Sequence, residues 1–106
     1  MIKSFRHKGI QLFFETGSKA KIVVKHAARL QVQLTALHAA TSEADMSAPG
    51  WNLHQLSGKN PKGQSLAGHW AVSVSGNWRL AFYFENGDAV LVDYQDYLRR
   101  ASHAYA

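Results

Sequence analysis

The chain has 106 residues, which suits one domain with its own core and leaves no room for two. It has no cysteine, which excludes disulfides and thiolate metal sites, and its apolar runs are too short to span a bilayer. The formal charge is +5, and residues 1–30 hold seven of the twelve Lys and Arg and a single acid, Glu15. This basic half favours nucleic acid or an acidic protein as partner over a membrane, although a plain solvated surface has the same composition.

The N-terminus lacks the apolar core of a signal peptide, so we expect a cytoplasmic protein. Residues 2–5 are predicted to form a short edge strand, and residues 7–16 a helix that ends at Gly17. Ser18 is a candidate N-cap for the next segment, residues 21–40. That segment is predicted to be a core-facing helix because its apolar residues recur at three- and four-residue spacing, namely at Val23, Ala27, Leu30, Leu34, Leu37 and, at the edge of the stripe, Val24.

After residue 50 the apolar period changes to two, which is typical of strands. The alternation covers residues 51–56, 69–75, 78–85 and 90–94. Gly76-Asn77 and Asn86-Gly87 are two-residue turns of the kind that joins antiparallel strands. Residues 57–68 form a Gly-rich loop, long for a hairpin and expected to be flexible. Helices followed by consecutive strands predict an α+β fold in which helices cover one sheet face and leave the other available.

Two residues of the predicted strands have the chemistry needed to cut a phosphodiester. Arg79 alternates with Trp78 and Leu80, so it is expected on the face away from the helices. A guanidinium there can bind a phosphate through two hydrogen bonds. The alternative is a surface arginine that forms an ion pair with a carboxylate on a neighbouring strand. The imidazole of His54 titrates near neutral pH and can move protons, although a lone histidine is more often structural or exposed.

Four further residues are candidates for RNA contacts or proton transfer. Lys59 and Lys62 lie in the Gly-rich loop and can reach a phosphate backbone, or simply keep a connection soluble. His69, beside Trp70, is as suited to a structural role as to stacking on a base. Tyr97 offers a phenol for stacking or acid–base chemistry, or covers the edge of the core. The histidines lack the spacing of zinc ligands, so we expect no metal and no cofactor.

Five motifs in order resemble the HigB toxins, a branch of the RelE/ParE superfamily of bacterial toxin–antitoxin systems. They are the opening Met-Ile-Lys-Ser-Phe-Arg-His-Lys-Gly, Leu53-His54-x-Leu56, Gly68-His69-Trp70-x-Val72, Asn77-Trp78-Arg79-Leu80-x-Phe82 and Val92-Asp93-Tyr94-x-Asp96-Tyr97. The resemblance covers residues 1–97 as one domain and leaves residues 98–106 as a C-terminal tail. It implies a microbial-ribonuclease-type fold with two N-terminal helices packed on a small, mostly antiparallel sheet.

The resemblance also implies a function. HigB-like toxins cleave mRNA on the ribosome by 2′-hydroxyl attack, without a metal, and so inhibit translation. Their implied partners are a HigA-like helix-turn-helix antitoxin, the ribosome with its message, and operator DNA through the antitoxin complex. By position, His54 matches the family's acid–base histidine, Arg79 its phosphate-binding arginine and Tyr97 its tyrosine near the C-terminus. Two alternatives stay open: a non-catalytic basic module that acts as co-repressor with the antitoxin, and a ParE-like gyrase poison.

The chain departs from the family pattern at three places. Ser57 stands where relatives usually have Lys, with Lys59 two residues further on. The loop over residues 57–68 is longer than in short relatives, and Leu98 replaces the histidine that follows the family tyrosine in many of them. These departures concern the strength of the activity more than the fold.

Overall fold

The computed structural model describes residues 1–96, which form two α-helices and four strands. The helices are α1 (Lys8–Thr16) and α2 (Ala27–Ala39), with single 3-10 turns at Val24–His26 and Glu43–Met46. The strands are β1 (His54–Gln55), β2 (Trp70–Ser75), β3 (Trp78–Glu85) and β4 (Asp88–Asp96). They pair antiparallel in the order β1-β2-β3-β4, and this arrangement confirms the α+β prediction. Within residues 1–96, no helix combines the length and the apolar character needed to cross a bilayer.

Helix α1 forms where the spacing of its apolar residues predicts it. Its buried residues include Ile10 and Phe13, three positions apart and therefore on one face. His7 is the N-cap, because its Nδ1 accepts a hydrogen bond from the backbone N–H of Ile10 at 3.0 Å. Gly17 ends the helix in the left-handed region, with φ of 79°, and donates its N–H to the carbonyl of Phe13.

Helix α2 begins at Ala27, so the predicted start at residue 21 was wrong, and Ser18 is not its N-cap. The preceding segment crosses α1 at Gly9, where a Cβ would lie 2.7 Å from the Cβ of Lys21. The backbone N–H of Val23 donates to the hydroxyl of Tyr94 at 3.3 Å. This tertiary packing holds residues 21–23 outside any helix, which apolar spacing alone does not reveal.

The hydrophobic core lies between the helices and one face of the sheet. Most of the stripe predicted on α2 is buried there: Ala27, Leu30, Leu34 and Leu37. Val24 is 65% exposed, because it lies in the 3-10 turn before the helix and not on the core-facing stripe. The sheet contributes residues at every second position of its strands, including Val72, Val74, Leu80, Phe82, Val92 and Tyr94. The prediction that helices cover one face of the sheet is therefore confirmed.

The N-terminal segment lies along the outer edge of β4. Ile2 and Phe5 form parallel bridges to Ala89 and Val92. Residues 2–5 thus lie at the edge of the sheet, as predicted, but they form two isolated parallel bridges and not a strand. Phe5 packs against the helix-side core. The backbone N–H of the next residue, Arg6, donates to the carbonyl of Val92 at 2.8 Å.

The strand predicted over residues 51–56 is reduced to the two residues of β1. Asn52 has a positive φ of 50°, which interrupts the extended backbone. By contrast, β4 runs beyond the predicted residues 90–94 at both ends.

The sheet face opposite the helices is partly covered by the chain itself. Leu66, Ala71 and Ala81 are buried, at 4%, 0% and 3% exposure, yet none of them belongs to the helix-side core. Leu66 lies in the loop over residues 57–68, and other residues of this loop line a cavity together with Asp93 and Gln95 of β4. The loop therefore crosses the sheet from β1 towards β4. The sequence predicted that this face is available. That prediction is wrong at the centre of the face, which the loop covers, and holds only at the rim of the face.

Candidate active site

Two cross-strand rows of residues define the face opposite the helices. The first row runs from His54 on β1 through Ala71 and Ala81 to Asp93 on β4. The second row runs from Ser73 through Arg79 to Gln95. Residues directly opposite each other in a ladder share a face, and residues two apart on a strand do so as well. The register therefore places His54 and Arg79 on one face, as the alternation predicted for Arg79.

The ring of His54 is oriented by a hydrogen bond from Nδ1 to the backbone carbonyl of Asn52 at 2.8 Å. A carbonyl oxygen only accepts, so Nδ1 carries the proton in this contact. In the neutral imidazole the lone pair is then on Nε2. His54 is half-buried, and Nε2 is the nitrogen suited to take a proton from a substrate hydroxyl.

Arg79 is held by backbone carbonyls on one edge of its guanidinium. Its Nη1 donates to the carbonyl of Gly76 at 2.7 Å and to that of Trp78 at 3.1 Å. Within residues 1–96 the salt bridges do not include Arg79, so the alternative of a cross-strand carboxylate partner is not observed there. The edge formed by Nε and Nη2 makes no hydrogen bond to that part of the chain, and it has the geometry that holds two phosphate oxygens at once.

His54 and Arg79 are two strands and two residues apart. Standard strand spacing and rise put their Cα atoms about 12 Å apart. The guanidinium of Arg79 is bonded to the carbonyls of Gly76 and Trp78, beside the turn before β3. Ala71 and Ala81, which lie between His54 and the row of Arg79, are buried. The two side chains share one face and have the chemistry of a base and of a fixed positive charge.

The loop over residues 57–68 carries both candidate lysines and is more ordered than predicted. Lys59 bridges to Ser65, and the N–H of Asn60 donates to the carbonyl of Gln64 at 2.9 Å. The buried side chain of Asn60 accepts hydrogen bonds from the backbone N–H groups of Lys62 and Gln64. These bonds form a small closed turn that leaves Lys59 and Lys62 exposed.

His69 is 5% exposed, and its ring packs on that of Tyr83 with centroids 5.1 Å apart. Burial lowers the pKa of His69 below its usual value, the charge of Arg6 lowers it further, and Asp93 opposes the shift. The ring surface that a nucleobase would need is already occupied by Tyr83. His69 therefore contributes to the packing behind the site, and its predicted contact with RNA receives no support from its burial.

A polar cavity of about 390 Å³ adjoins the Arg79 row. It is lined by Arg6, Asp93, Gln95 and the loop residues Asn60, Pro61, Lys62 and Gln64. Sequence reasoning missed Arg6 and Gln95. Arg6 directly follows the apolar Phe5 in the predicted edge strand. Because Phe5 faces the helices and pairs with β4, the alternation of an extended chain puts Arg6 on the face away from the helices.

Tyr97 lies outside the described residues, so its predicted catalytic role stays a prediction. Among residues 1–96, no group of three or more histidine, cysteine, aspartate or glutamate side chains is placed to hold a metal ion. Ser57 is exposed at the start of the loop.

Comparison with known proteins agrees with this architecture. Residues 3–98 match the family described as the RelE-like toxin of the type II toxin–antitoxin system HigB. The chain is also 37% identical over 97 residues to the endoribonuclease HigB of Proteus vulgaris, a match that covers 92% of this chain and 99% of that protein. Both matches agree with the sequence motifs and with the α+β fold. The chain belongs to the HigB-like family of RelE-like toxins of type II toxin–antitoxin systems.

Proposed function

We propose that this toxin is an endoribonuclease that cleaves mRNA on the ribosome and thereby inhibits translation. The observation that carries the proposal is the placement of His54 and Arg79 on one sheet face, where Nε2 of His54 and the Nε–Nη2 edge of Arg79 make no hydrogen bond to residues 1–96. The relative from Proteus vulgaris is named an endoribonuclease, which supports the same reaction class.

In the proposed reaction, Nε2 of His54 takes the proton of a ribose 2′-hydroxyl. The 2′-oxygen attacks the adjacent phosphorus, and the bond from phosphorus to the 5′-oxygen breaks. Arg79 holds two non-bridging phosphate oxygens and stabilises the negative charge that develops on them. The products are a 2′,3′-cyclic phosphate on the upstream fragment and a 5′-hydroxyl on the downstream fragment.

The leaving 5′-oxygen needs a proton. We assign this step to the phenol of Tyr97, which follows directly after β4 in the sequence. Lys59 and Lys62 are exposed on the loop and are assigned to phosphates of the bound message. Because Ser57 offers no cation at the family's lysine position, these two lysines and Arg79 provide the positive charge around the site.

Membership of a type II system implies an antitoxin partner. We propose that this partner is a HigA-like helix-turn-helix protein, and that the complex of toxin and antitoxin binds operator DNA. Because the proposed substrate is message on the ribosome, we propose that the toxin acts in the cytoplasm. The +5 charge is consistent with binding both to ribosomal RNA and to an acidic antitoxin surface.

The chemistry at the cut ends tests the proposed reaction. Purified toxin is added to a reconstituted translation reaction, and the fragments are ligated to adaptors with and without prior phosphorylation of their 5′ ends. We expect downstream fragments that ligate only after phosphorylation, and cleavage only when ribosomes are translating. Fragments with 5′-phosphates would contradict the 2′-hydroxyl mechanism. Induction of DNA damage with intact message, in cells that express the toxin, would indicate a gyrase poison.

A further inference from the structure

The cavity beside the Arg79 row is not used by the reaction proposed above. Gln95 connects the cavity with Arg79, because it lies directly opposite Arg79 on the neighbouring strand and also lines the cavity. The cavity volume of about 390 Å³ lies within the usual range for small ligands. Arg6 and Lys62 contribute two positive charges to its lining, against one negative charge from Asp93.

Arg6 is fixed in place but incompletely satisfied. Its backbone N–H is bonded to Val92, which anchors the residue along the edge of β4. Its side-chain Nε is buried and has no hydrogen-bond partner among the described residues. The salt bridges of residues 1–96 do not include Arg6. Arg6 lines the cavity, so an anion bound there would lie beside a partly buried guanidinium that has no ion-pair partner among residues 1–96.

The opposite wall of the cavity is equally preformed. Asn60 is 7% exposed, and its Oδ1 accepts from the backbone N–H groups of Lys62 and Gln64 at 3.0 and 2.9 Å. Its Nδ2 donates to Oε1 of Gln64 at 2.6 Å. This closed turn holds Lys62 at the cavity without help from a ligand. Preorganisation of this kind lowers the entropy lost when a ligand binds.

The carboxylate of Asp93 also has a structural role in the lining. Its Oδ1 accepts from the backbone N–H of Tyr94 at 2.9 Å and from Nε2 of Gln95 at 3.2 Å. This orients Gln95 at the boundary between the cavity and Arg79. Arg6 lines the same cavity as Asp93 and Gln95, so it lies on the same side of the sheet as those residues.

We propose that Arg6 and Lys62 bind a second phosphate of the RNA, adjacent to the phosphate held by Arg79. This inference rests on the proposed function, because it takes RNA to be the substrate. An acidic segment of the antitoxin would use the same charges, but the continuity between the cavity and Arg79 through Gln95 favours the RNA backbone. The loop over residues 57–68 then serves as a clamp on the message and not as a simple connection.

The experiment measures binding separately from cleavage. The probe is a fluorescently labelled RNA hexamer with 2′-O-methyl groups throughout, which cannot undergo 2′-hydroxyl attack. Its affinity for the purified toxin is measured by fluorescence anisotropy over a range of KCl concentrations. Arg6→Gln and Lys62→Gln are each expected to bind about tenfold more weakly at low salt. The slope of log affinity against log salt should fall by about 0.7 for each lost phosphate contact.

Lys19→Gln is the matched control. It removes the same charge from an exposed position on the groove between α1 and α2, on the opposite side of the sheet. Its affinity should stay within about twofold of the unmodified toxin. Lys62→Gln changes an exposed residue that the proposed function already assigns to the message, so it reports on the second phosphate only through the methylphosphonate probe described next, which should have little further effect on this variant.

A single methylphosphonate next to the scissile position locates the contact. This neutral group should weaken binding to the unmodified toxin and have little further effect on Arg6→Gln. Unchanged RNA affinity in both Arg6→Gln and Lys62→Gln would overturn the proposal. It would also be overturned if these variants lost affinity for the antitoxin alone, or if the unmodified toxin showed no salt-dependent binding of RNA. Full cleavage by an Arg79→Ala variant would instead count against the proposed active site and leave the Arg6 result standing.

Discussion

Arg79 of β3 lies directly opposite Gln95 of β4, and Ser73 of β2 lies on its other side. The arginine thus lies near one end of an inner strand, next to the Gly76-Asn77 turn, and one edge of its guanidinium is held by the carbonyls of Gly76 and Trp78. The strand pairing fixes its distance from His54 without any direct contact between the two side chains. In the proposed function, a substrate phosphate contacts both side chains.

His54→Gln tests the assigned base. Glutamine keeps a polar group of similar reach but cannot take a proton, so the cleavage rate should fall by about 10²–10⁴-fold. The measurement is the rate at which the toxin cleaves message on translating ribosomes. Primer extension detects the cut ends. Gln55→Ala, at the exposed neighbouring position, is the control and should cleave normally. An active His54→Gln variant would remove the histidine from the mechanism.

Tyr94→Phe tests the buried hydroxyl that joins the sheet to the segment before α2. That hydroxyl contacts Nδ1 of His26 at 2.7 Å and accepts from the N–H of Val23 at 3.3 Å. Its removal leaves two partly buried polar groups without their partner and should lower the free energy of unfolding by about 1–3 kcal/mol. Urea unfolding of Tyr94→Phe and of the control Tyr83→Phe gives the comparison. Equal loss in both variants would contradict this account.

The stability of the toxin should decrease as the pH falls below about 6.5. Burial lowers the pKa of His7, His26 and His69 in the folded protein, from a usual value of 6.5. The unfolded chain therefore binds more protons in this range, and protonation favours unfolding. The stabilisation is complete above pH 6.5 and is lost as the pH falls towards the lowered values.

Urea unfolding at pH 7.5 and at pH 5.5 measures this effect. We expect a lower midpoint at pH 5.5 and a smaller difference between the two pH values for His26→Gln, which removes one of the three groups. Equal midpoints at both pH values, or a higher one at pH 5.5, would show that these histidines are not held neutral by burial.

Asn60→Ala tests the turn that presents Lys62. The substitution removes the acceptor for the N–H groups of Lys62 and Gln64, so both amides should exchange with solvent at least about tenfold faster. Hydrogen exchange followed by NMR measures the rates, with Lys59→Gln as the control in the same loop. Unchanged exchange would mean that the turn does not depend on the Asn60 side chain.

Several elements could be predicted from the sequence because local pattern determines them. The spacing of Ile10 and Phe13 and the glycine at residue 17 defined α1 almost completely. The two turns at Gly76-Asn77 and Asn86-Gly87 defined the central hairpins, and strict alternation placed Arg79 on the correct face. In each case the deciding interactions lie within a few residues along the chain.

The errors came from contacts between distant parts of the chain. The start of α2 depends on Tyr94, which is 71 residues away from Val23. Coverage of the second sheet face depends on Leu66 and on how the loop folds, and composition cannot reveal that. Arg6 became a candidate only because the N-terminal segment pairs with β4. Of the candidate site, the sequence indicated His54 and Arg79 but not the cavity next to them.

The most direct test of the account is the mapping of transcript ends in cells that express the toxin or its Arg79→Ala variant without antitoxin. Loss of one preorganised contact to the transition state should reduce cleavage by at least about tenfold and relieve growth inhibition, with Arg79→Lys intermediate. Thermal unfolding of each variant shows that the fold is retained. Full cleavage and full toxicity with Arg79→Ala would contradict the assignment of this residue to the scissile phosphate.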